Sequence, residues 1–325
     1  MALQALRELI RGQAAAEEIE SITSGRGLWL PPEAGGEVSE LLSAPTPADM
    51  NSAVIELRNL MPGGDLFHTA VLGLLCGTLV ENGADPGAAI DTTLELLVRQ
   101  LDALAEHPDE ATRAATHLTF PAAMTMLCRS KETRKRWRLR PEMMARLDEL
   151  EDAGLVPFFL REVFTLHDDL DLLVLDQRNR RAYRFRLIGL RDRLYHCYAL
   201  LQDALLRNCG PGYLDAEPLD EFNIRYARND GLDLEERNAQ HLSDHARFNF
   251  NYPGGLFMPG SAAVAELPTL GGTPFLLVEP RSIQFSWNPS NMYPVVHEAL
   301  RASCELIREF DREETDTLLA RCDLT

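Results

Sequence analysis

The chain has 325 residues, 45% of them hydrophobic and 25% charged, with a formal net charge of −18. That length suits one large domain or two ordinary ones, and apolar residues spread along all of it exclude an intrinsically disordered chain. The charge disfavours general nucleic-acid binding, which needs a positive surface; both halves are acidic, with 15 basic and 25 acidic residues up to position 166 and 17 and 25 after it.

Leu3, Leu6 and Ile10 recur at helical spacing and predict a first helix running towards Ile22, ended by Ser24-Gly25-Arg26-Gly27. Pro31-Pro32 and Gly35-Gly36 predict a loop, with a short helix over residues 38–42. Thr46-Pro47-Ala48-Asp49 is a start signal: Thr46 can cap, Pro47 suits the first helical position, and Asp49 complements the helix dipole. Val54, Leu57 and Leu60 follow on that helix, which Pro62-Gly63-Gly64 ends. Asp65 can cap the next helix, which is apolar nearly all round and therefore expected at the centre, with Gly83 at its end. Asp85-Pro86 opens a further helix whose Ile90, Leu94, Leu97, Leu101 and Leu104 form one stripe. Two shorter helices are expected from Asp109 and from Pro121, and another from Pro141 to Gly154.

After residue 166 the period changes, and all seven tyrosines lie there. Leu172 to Leu175 is a continuous apolar run that reads as a buried strand. Residues 177–181 read as a turn, and Tyr183, Phe185 and Leu187 alternate with Arg184 and Arg186, so a hairpin with one wet face is expected. Asp192 can cap a helix carrying Leu194, Tyr198, Leu201 and Leu205. Residues 210–231 are irregular, and a helix is expected over 234–245. Phe248, Phe250 and Tyr252 predict a strand, turned by Pro253-Gly254. Further short strands are expected at 275–278 and 283–287, and a last helix over 295–321.

Three constellations carry possible chemistry. The run from Arg129 to Arg140 holds seven of the first half's 15 basic residues. On a helix Lys131, Arg134, Lys135 and Arg138 share a face beside Trp137, which fits an anionic partner. The alternative is a basic stripe pairing with the chain's own carboxylates, and the net charge favours it. His167-Asp168-Asp169-Leu170-Asp171 groups side chains that could bind Mg²⁺ or Ca²⁺, but EF-hand spacing is absent, and solvated turn residues between a helix and a strand are the favoured reading of Asp168 and Asp169. His241 and His245, four apart with Asp244 beside them, could ligate zinc, but H-E-x-x-H and an obvious third ligand are missing. No glycine pattern has the context of a P-loop, and no G-x-S-x-G elbow occurs. The six cysteines include no C-x-x-C pair, and four lie in apolar helical stretches, which favours free thiols in a reducing compartment. Residues 1–11 lack a signal-peptide pattern, and the most apolar window, 66–80, is too short to span a bilayer.

Three segments carry a likeness to known sequences: Val174-Leu175-Asp176 through Tyr183-Arg184-Phe185-Arg186-Leu187-Ile188-Gly189; Tyr252 to Phe257 with Ala265-Glu266-Leu267-Pro268-Thr269-Leu270-Gly271-Gly272; and Leu276-Leu277-Val278-Glu279-Pro280 with Ser286-Trp287. In these the second half resembles a group of bacterial proteins of unknown function. The resemblance implies a recurring module and supplies no activity or catalytic residue. Arginine makes up all but two of the 32 basic residues, which points to a GC-rich bacterial genome.

The expected fold is α+β and helix-dominated. A helical bundle or short solenoid spans 1–166, and a module with a small, mostly antiparallel sheet spans 167–325, sharing one core with the first half if no linker separates them. The expected function is a non-enzymatic, cytoplasmic bacterial interaction protein, adaptor or immunity-like, with a protein partner, no membrane and no cofactor. The alternative is a metal-dependent enzyme or small-ligand binder whose site, between the two halves, draws on His241, His245, Asp168 or Asp169.

Overall fold

The computed structural model describes residues 3–138, 140–152, 158–190, 194–230, 233, 235–236, 243–244, 246–257, 263–284, 286–287 and 299–322. The fold is α+β and helix-dominated, in two compact units, Met1–Phe164 and Thr165–Thr325. No helix among the described residues is long and apolar enough to cross a membrane.

The N-terminal unit contains α1 (Gln4–Arg11), α2 (Ala16–Thr23), α3 (Pro32–Leu42), α4 (Pro47–Leu60), α5 (Leu66–Glu81), α6 (Ile90–Glu106), α7 (Glu110–Arg129), α8 (Lys131–Arg138), α9 (Pro141–Asp152) and α10 (Phe158–Phe164). Two of the caps read from sequence hold, Thr46 accepting from the Asp49 amide and Asp65 from the His68 amide; Asp85 instead caps a 3-10 turn over Pro86–Ala88, α6 begins behind Ala89 with no side-chain cap, and Asp192 lies outside the described residues. Helix α5 is the centre, buried on every side and packed against α4, α6 and α7. Its closest neighbour is α7, where Gly77 lets the two backbones meet: a Cβ added there would lie 2.8 Å from Ala122 Cα.

Three helical expectations need correction. The first helix is two, α1 and α2, because Gly12 is extended and the amides of Ala14 and Ala15 turn to Asp65 and Glu18 instead of continuing the ladder. The expected loop at Gly35-Gly36 lies inside α3, where Pro32 opens the helix and Ala34, Val38 and Leu41 bury one stripe. The two helices expected around Pro121 are one, α7. An interior proline costs about 3 kcal/mol; here Leu118, Ala122 and Met126 bury a stripe that spans it, which opposes that cost.

The C-terminal unit contains β1 (Leu170–Asp176), β2 (Arg181–Ile188), α11 (Leu194–Cys209), α12 (Glu221–Arg228), β3 (Ser243–Asp244), β4 (Phe248–Tyr252), β5 (Gly255–Leu256), β6 (Thr269–Leu270), β7 (Thr273–Pro280), β8 (Ser286–Trp287), β9 (Ser303–Glu309) and α13 (Arg312–Cys322). The main sheet runs β5-β4-β7-β1-β2-β9, with β6 also on β7, while β3 and β8 form a separate pair. The expected hairpin is present, Val174 opposite Tyr183. Its pleat sorts the side chains: Leu172, Val174, Tyr183, Phe185 and Leu187 join α11 in the larger core, and Leu173, Leu175 and Ala182 join Leu319 and Cys322 of α13 on the other face. Tyr198 of α11 donates to the Phe248 carbonyl and meets the Phe250 ring edge-on at 5.0 Å.

The sheet is mixed: β1 and β7 are parallel, and the other pairings among the described strands are antiparallel. Two further expectations change. Residues 210–231 include α12, started by Asp220 accepting from the Phe222 amide. The last helix is not continuous over 295–321: residues 295–298 lie outside the described residues, Ser303–Glu309 is strand β9, and α13 begins at Arg312. Cys304 and Leu306 alternate with Glu305 because β2 offers them a partner edge. The helix expected over 234–245 falls mostly outside the described residues.

Candidate functional site

The basic run does form a helix, α8, but two of its five predicted surface residues point inward. Arg134 is buried and donates from Nη1 to the carbonyls of Leu127 at 2.7 Å and Cys128 at 3.0 Å. It thereby satisfies carbonyls in the last turn of α7 and complements that helix's dipole. Trp137 is also buried, with the Arg140 guanidinium 4.2 Å over its ring. Lys131 and Lys135 are half-buried and Arg138 is exposed, while Arg136 pairs with Asp91 of α6. This arrangement ties α8 to α6 and α7.

The Asp168 and Asp169 region opens β1. Asp168 is buried and accepts from the Gly189 amide at 3.1 Å, and His167 bridges Leu190 through the backbone. Gly189 has φ +64, and a Cβ there would lie 2.3 Å from the Arg301 carbonyl oxygen, so glycine is required for this clasp. Asp169 adopts φ 57. Asp171 meets Arg184 and Arg186; burial alone would raise its pKa, but the two guanidiniums hold it below the ordinary value. His241 and His245 lie outside the described residues. Among the described residues no group of three His, Cys, Asp or Glu side chains is placed to hold a metal ion. Burial pushes the thiols of Cys76, Cys128 and Cys197 up to about 12, which leaves them protonated and poor nucleophiles at neutral pH.

Two grooves flank α3. One, of about 490 Å³, lies against α1 and is lined by Glu8, Glu33 and Glu37 with Ala5, Leu9 and Pro31. The other, of about 440 Å³, lies against α4 and is lined by Glu40, Asp49 and Glu56 with Leu41, Pro45 and Ala53. No arginine or lysine lines either one. The large hydrophobics left most exposed among the described residues of this unit are Trp29, at 44%, and Ile55, at 42%. Trp29 stands two residues before Pro31 of the first groove. Ile55 lies one helical turn from Ser52 of the second. Glu37 has a structural duty as well: burial would raise its pKa, but amides at the start of α1, including Leu6 and Ala5, hold it lowered.

A trio that the sequence did not reveal joins α2 to the start of α5, with His68 and Glu18 buried and Asp65 partly exposed. His68 Nε2 is 3.5 Å from Glu18 Oε1, and its Nδ1 is 3.4 Å from Asp65 Oδ1. The carboxylates approach opposite ring nitrogens, so they cannot share one metal with the imidazole. Through the Ala14 and Ala15 amides the trio pins the α1–α2 link to the start of α5.

The C-terminal unit carries a polar cluster at the end of the sheet where the parallel strands β1 and β7 finish. Asp176, fully buried, accepts from the Asn179 amide at 2.9 Å, from Asn179 Nδ2 at 2.8 Å and from the Tyr213 hydroxyl at 2.6 Å. Cys209 donates to the Tyr183 hydroxyl at 3.1 Å, and Arg181 lies over the rings of both Tyr183 and Tyr213. Tyr213 begins a short 3-10 turn in which Leu214 and Asp215 take left-handed φ values of 51 and 62. For leucine that conformation costs on the order of 1–3 kcal/mol and is held by its surroundings. This strained turn walls a cleft of about 640 Å³, completed by Ala216, Glu217, Arg247, Pro280 and Arg281.

Arg247 Nε donates to the carbonyls of Glu217 and Pro218, both at 3.1 Å. Arg247 Nη1 and Arg281 Nη1 each donate to the Ala246 carbonyl at 3.1 Å. Sequence reading missed both arginines because Phe248 and Pro280, whose pairing brings them together, are 32 positions apart. It missed the α3 grooves because Gly35-Gly36 read as loop; the local signal was the spacing of Glu33, Glu37 and Glu40 once a helix is granted. The chain matches no family model, no curated protein and no solved structure.

Proposed function

We propose that this chain is a non-catalytic interaction protein of the bacterial cytoplasm, adaptor or immunity-like, which takes a basic amphipathic segment of a protein partner on the surface around α3. The observation that carries the reading is that three carboxylates and no arginine or lysine line each of the two grooves, with the exposed Trp29 two residues before Pro31 of the first and the exposed Ile55 one turn from Ser52 of the second. Carboxylates steer and orient a cationic partner, and Trp29 and Ile55 supply the desolvated contact on which affinity depends. The chain's charge of −18 extends the attraction beyond the contact itself.

A synthetic amphipathic helix of leucine and lysine tests this, with a leucine and glutamate twin as control. The basic peptide is expected to bind, to shift the emission of Trp29, and to lose that shift in Trp29→Phe. Glu8→Gln, Glu33→Gln and Glu40→Gln together should weaken binding and flatten its salt dependence. Equal binding of the two peptides, or binding indifferent to the three substitutions, would overturn the reading.

A further inference from the structure

We infer, resting on the interaction role proposed for the surface around α3, that its two grooves form one track and take a single basic helix of the partner, laid along α3 with a cation once per turn. The α3 residues of the two grooves share one side of that helix. Glu33 and Glu37 line the first groove and Glu40 the second, at positions i, i+4 and i+7. At about 100° per residue the three fall within about 60° of one another around the axis. Ala34 of the first groove and Leu41 of the second are also seven positions apart, with Val38 between them, and all three are buried. The grooves therefore follow one another along α3 over one apolar stripe. Their outer wall changes on the way, from Ala5, Glu8 and Leu9 of α1 to Asp49, Ser52 and Glu56 of α4.

The spacing along the track selects the form of its occupant. A rise of about 1.5 Å per residue sets Glu33 and Glu40 about 10 Å apart along the axis, with Glu37 between them. A helix beside α3 meets that spacing with basic residues of its own at i, i+4 and i+7. An extended segment repeats on one face every ~6.7 Å, so its third cation would fall out of step with Glu40 by about 3 Å. The charge of the lining fits the same occupant, with three carboxylates and no arginine or lysine at each groove. Burial would raise the pKa of Glu37, in the middle of the track, but the amides of Leu6 and Ala5 hold it lowered, so it stays ionised at neutral pH. A cationic helix running the length of the track meets these carboxylates together, which fixes its register as well as its direction of approach. Trp29, two residues before Pro31 of the first groove, and Ile55, one turn from Ser52 of the second, place an exposed large hydrophobic near each end.

A leucine and lysine helix of about 18 residues, roughly 27 Å long, is long enough to serve as the probe of the full chain. The titration is run at about 0.15 M salt, where exposed charges are screened beyond about 8 Å. Calorimetry should show one peptide per chain. Trp29 stands beside the first groove and Glu40 lines the second, so Glu40→Gln should shift the midpoint of the Trp29 emission change about threefold, as Glu8→Gln in the first groove should. A proline at the centre of the peptide breaks its helix and should weaken binding about tenfold or more. Glu8 and Glu40 are exposed, so both variants are expected to fold, and an unchanged melting temperature verifies it. Two peptides per chain, a Trp29 midpoint indifferent to Glu40→Gln, or undiminished affinity of the proline peptide each overturns the single-helix track and leaves the basic partner standing. Failure of the leucine and lysine helix to bind at all removes the partner reading, and the track with it.

Discussion

Gly73 and Gly77 stand one turn apart on α5, and replacing each with alanine should change stability in opposite directions. Helix propensity favours alanine over glycine by about 1 kcal/mol at either position, so it cancels in the comparison. At Gly73 the new methyl would lie 3.9 Å from Leu96 Cδ2, Met61 Cε and Thr93 Cγ2, which is ordinary contact. Gly73→Ala should therefore stabilise by about 1 kcal/mol. At Gly77 the methyl would lie 2.8 Å from Ala122 Cα and 3.0 Å from Ala122 Cβ. Backbone cannot rotate aside as a side chain does, so α5 and α7 must separate and loosen the central packing of the unit. Overpacking of that kind costs about 3 kcal/mol at the upper end of its usual range, leaving a net loss of about 2 after propensity. The two variants should thus differ by about 3 kcal/mol in urea unfolding followed by far-ultraviolet circular dichroism. Ala122→Gly should rescue Gly77→Ala only in part, because it removes the 3.0 Å contact and leaves the one at 2.8 Å. If Gly77→Ala proves as stable as Gly73→Ala, the close approach of α5 and α7 is wrong.

Other expectations concern the C-terminal unit and the thiols. Tyr213→Phe leaves the buried Asp176 carboxylate one donor short and should cost about 2 kcal/mol; an unchanged urea midpoint would show that the bond contributes nothing. Asp215→Gly should raise stability by up to about 1 kcal/mol, because its side chain is exposed and glycine adopts φ 62 without strain; a loss would mean the turn depends on the carboxylate. Burial raises the pKa of Tyr183, Tyr198 and Tyr213, and the bond to Asp176 raises Tyr213 further. These tyrosines ionise near pH ~10 in the unfolded chain, so their stabilisation is full below that pH and is lost as pH rises through the higher folded values. The urea midpoint should fall above pH ~10, and phenolate absorbance matching all seven tyrosines in the folded protein would contradict the burial. Cys76, Cys128 and Cys197 should resist a thiol-reactive disulfide reagent at neutral pH until denaturant is added, and prompt labelling of any of them would refute its placement.

Local rules recovered the elements whose stability is local. Thr46 and Asp65 were legible as caps because a cap is made with residues two or three positions on. The β1–β2 hairpin was legible because its turn and its alternation lie within one short window. Elements that depend on distant partners were misread. Helix α7 continues through Pro121 because of what α5 offers its buried stripe, and β9 is extended because β2 supplies its ladder. Arg134 looked like surface charge because the α7 carbonyls that hold it are invisible to periodicity. The parallel pairing of β1 with β7 had no local signal, since no turn encodes it. The cleft arginines share that difficulty, and the α3 grooves became visible only when a glycine pair proved helical.

The parallel pair also sets an order of events during synthesis. Leu173 finds its partner Phe275 only after about a hundred further residues have been made. Until then the β1–β2 hairpin leaves the ribosome with both flanks unzipped, that of β1 until β7 is made and that of β2 until β9 is made, each a template for any passing strand. The nascent chain is most vulnerable to aggregation in that interval, and a chaperone that shields these flanks would act there to greatest effect.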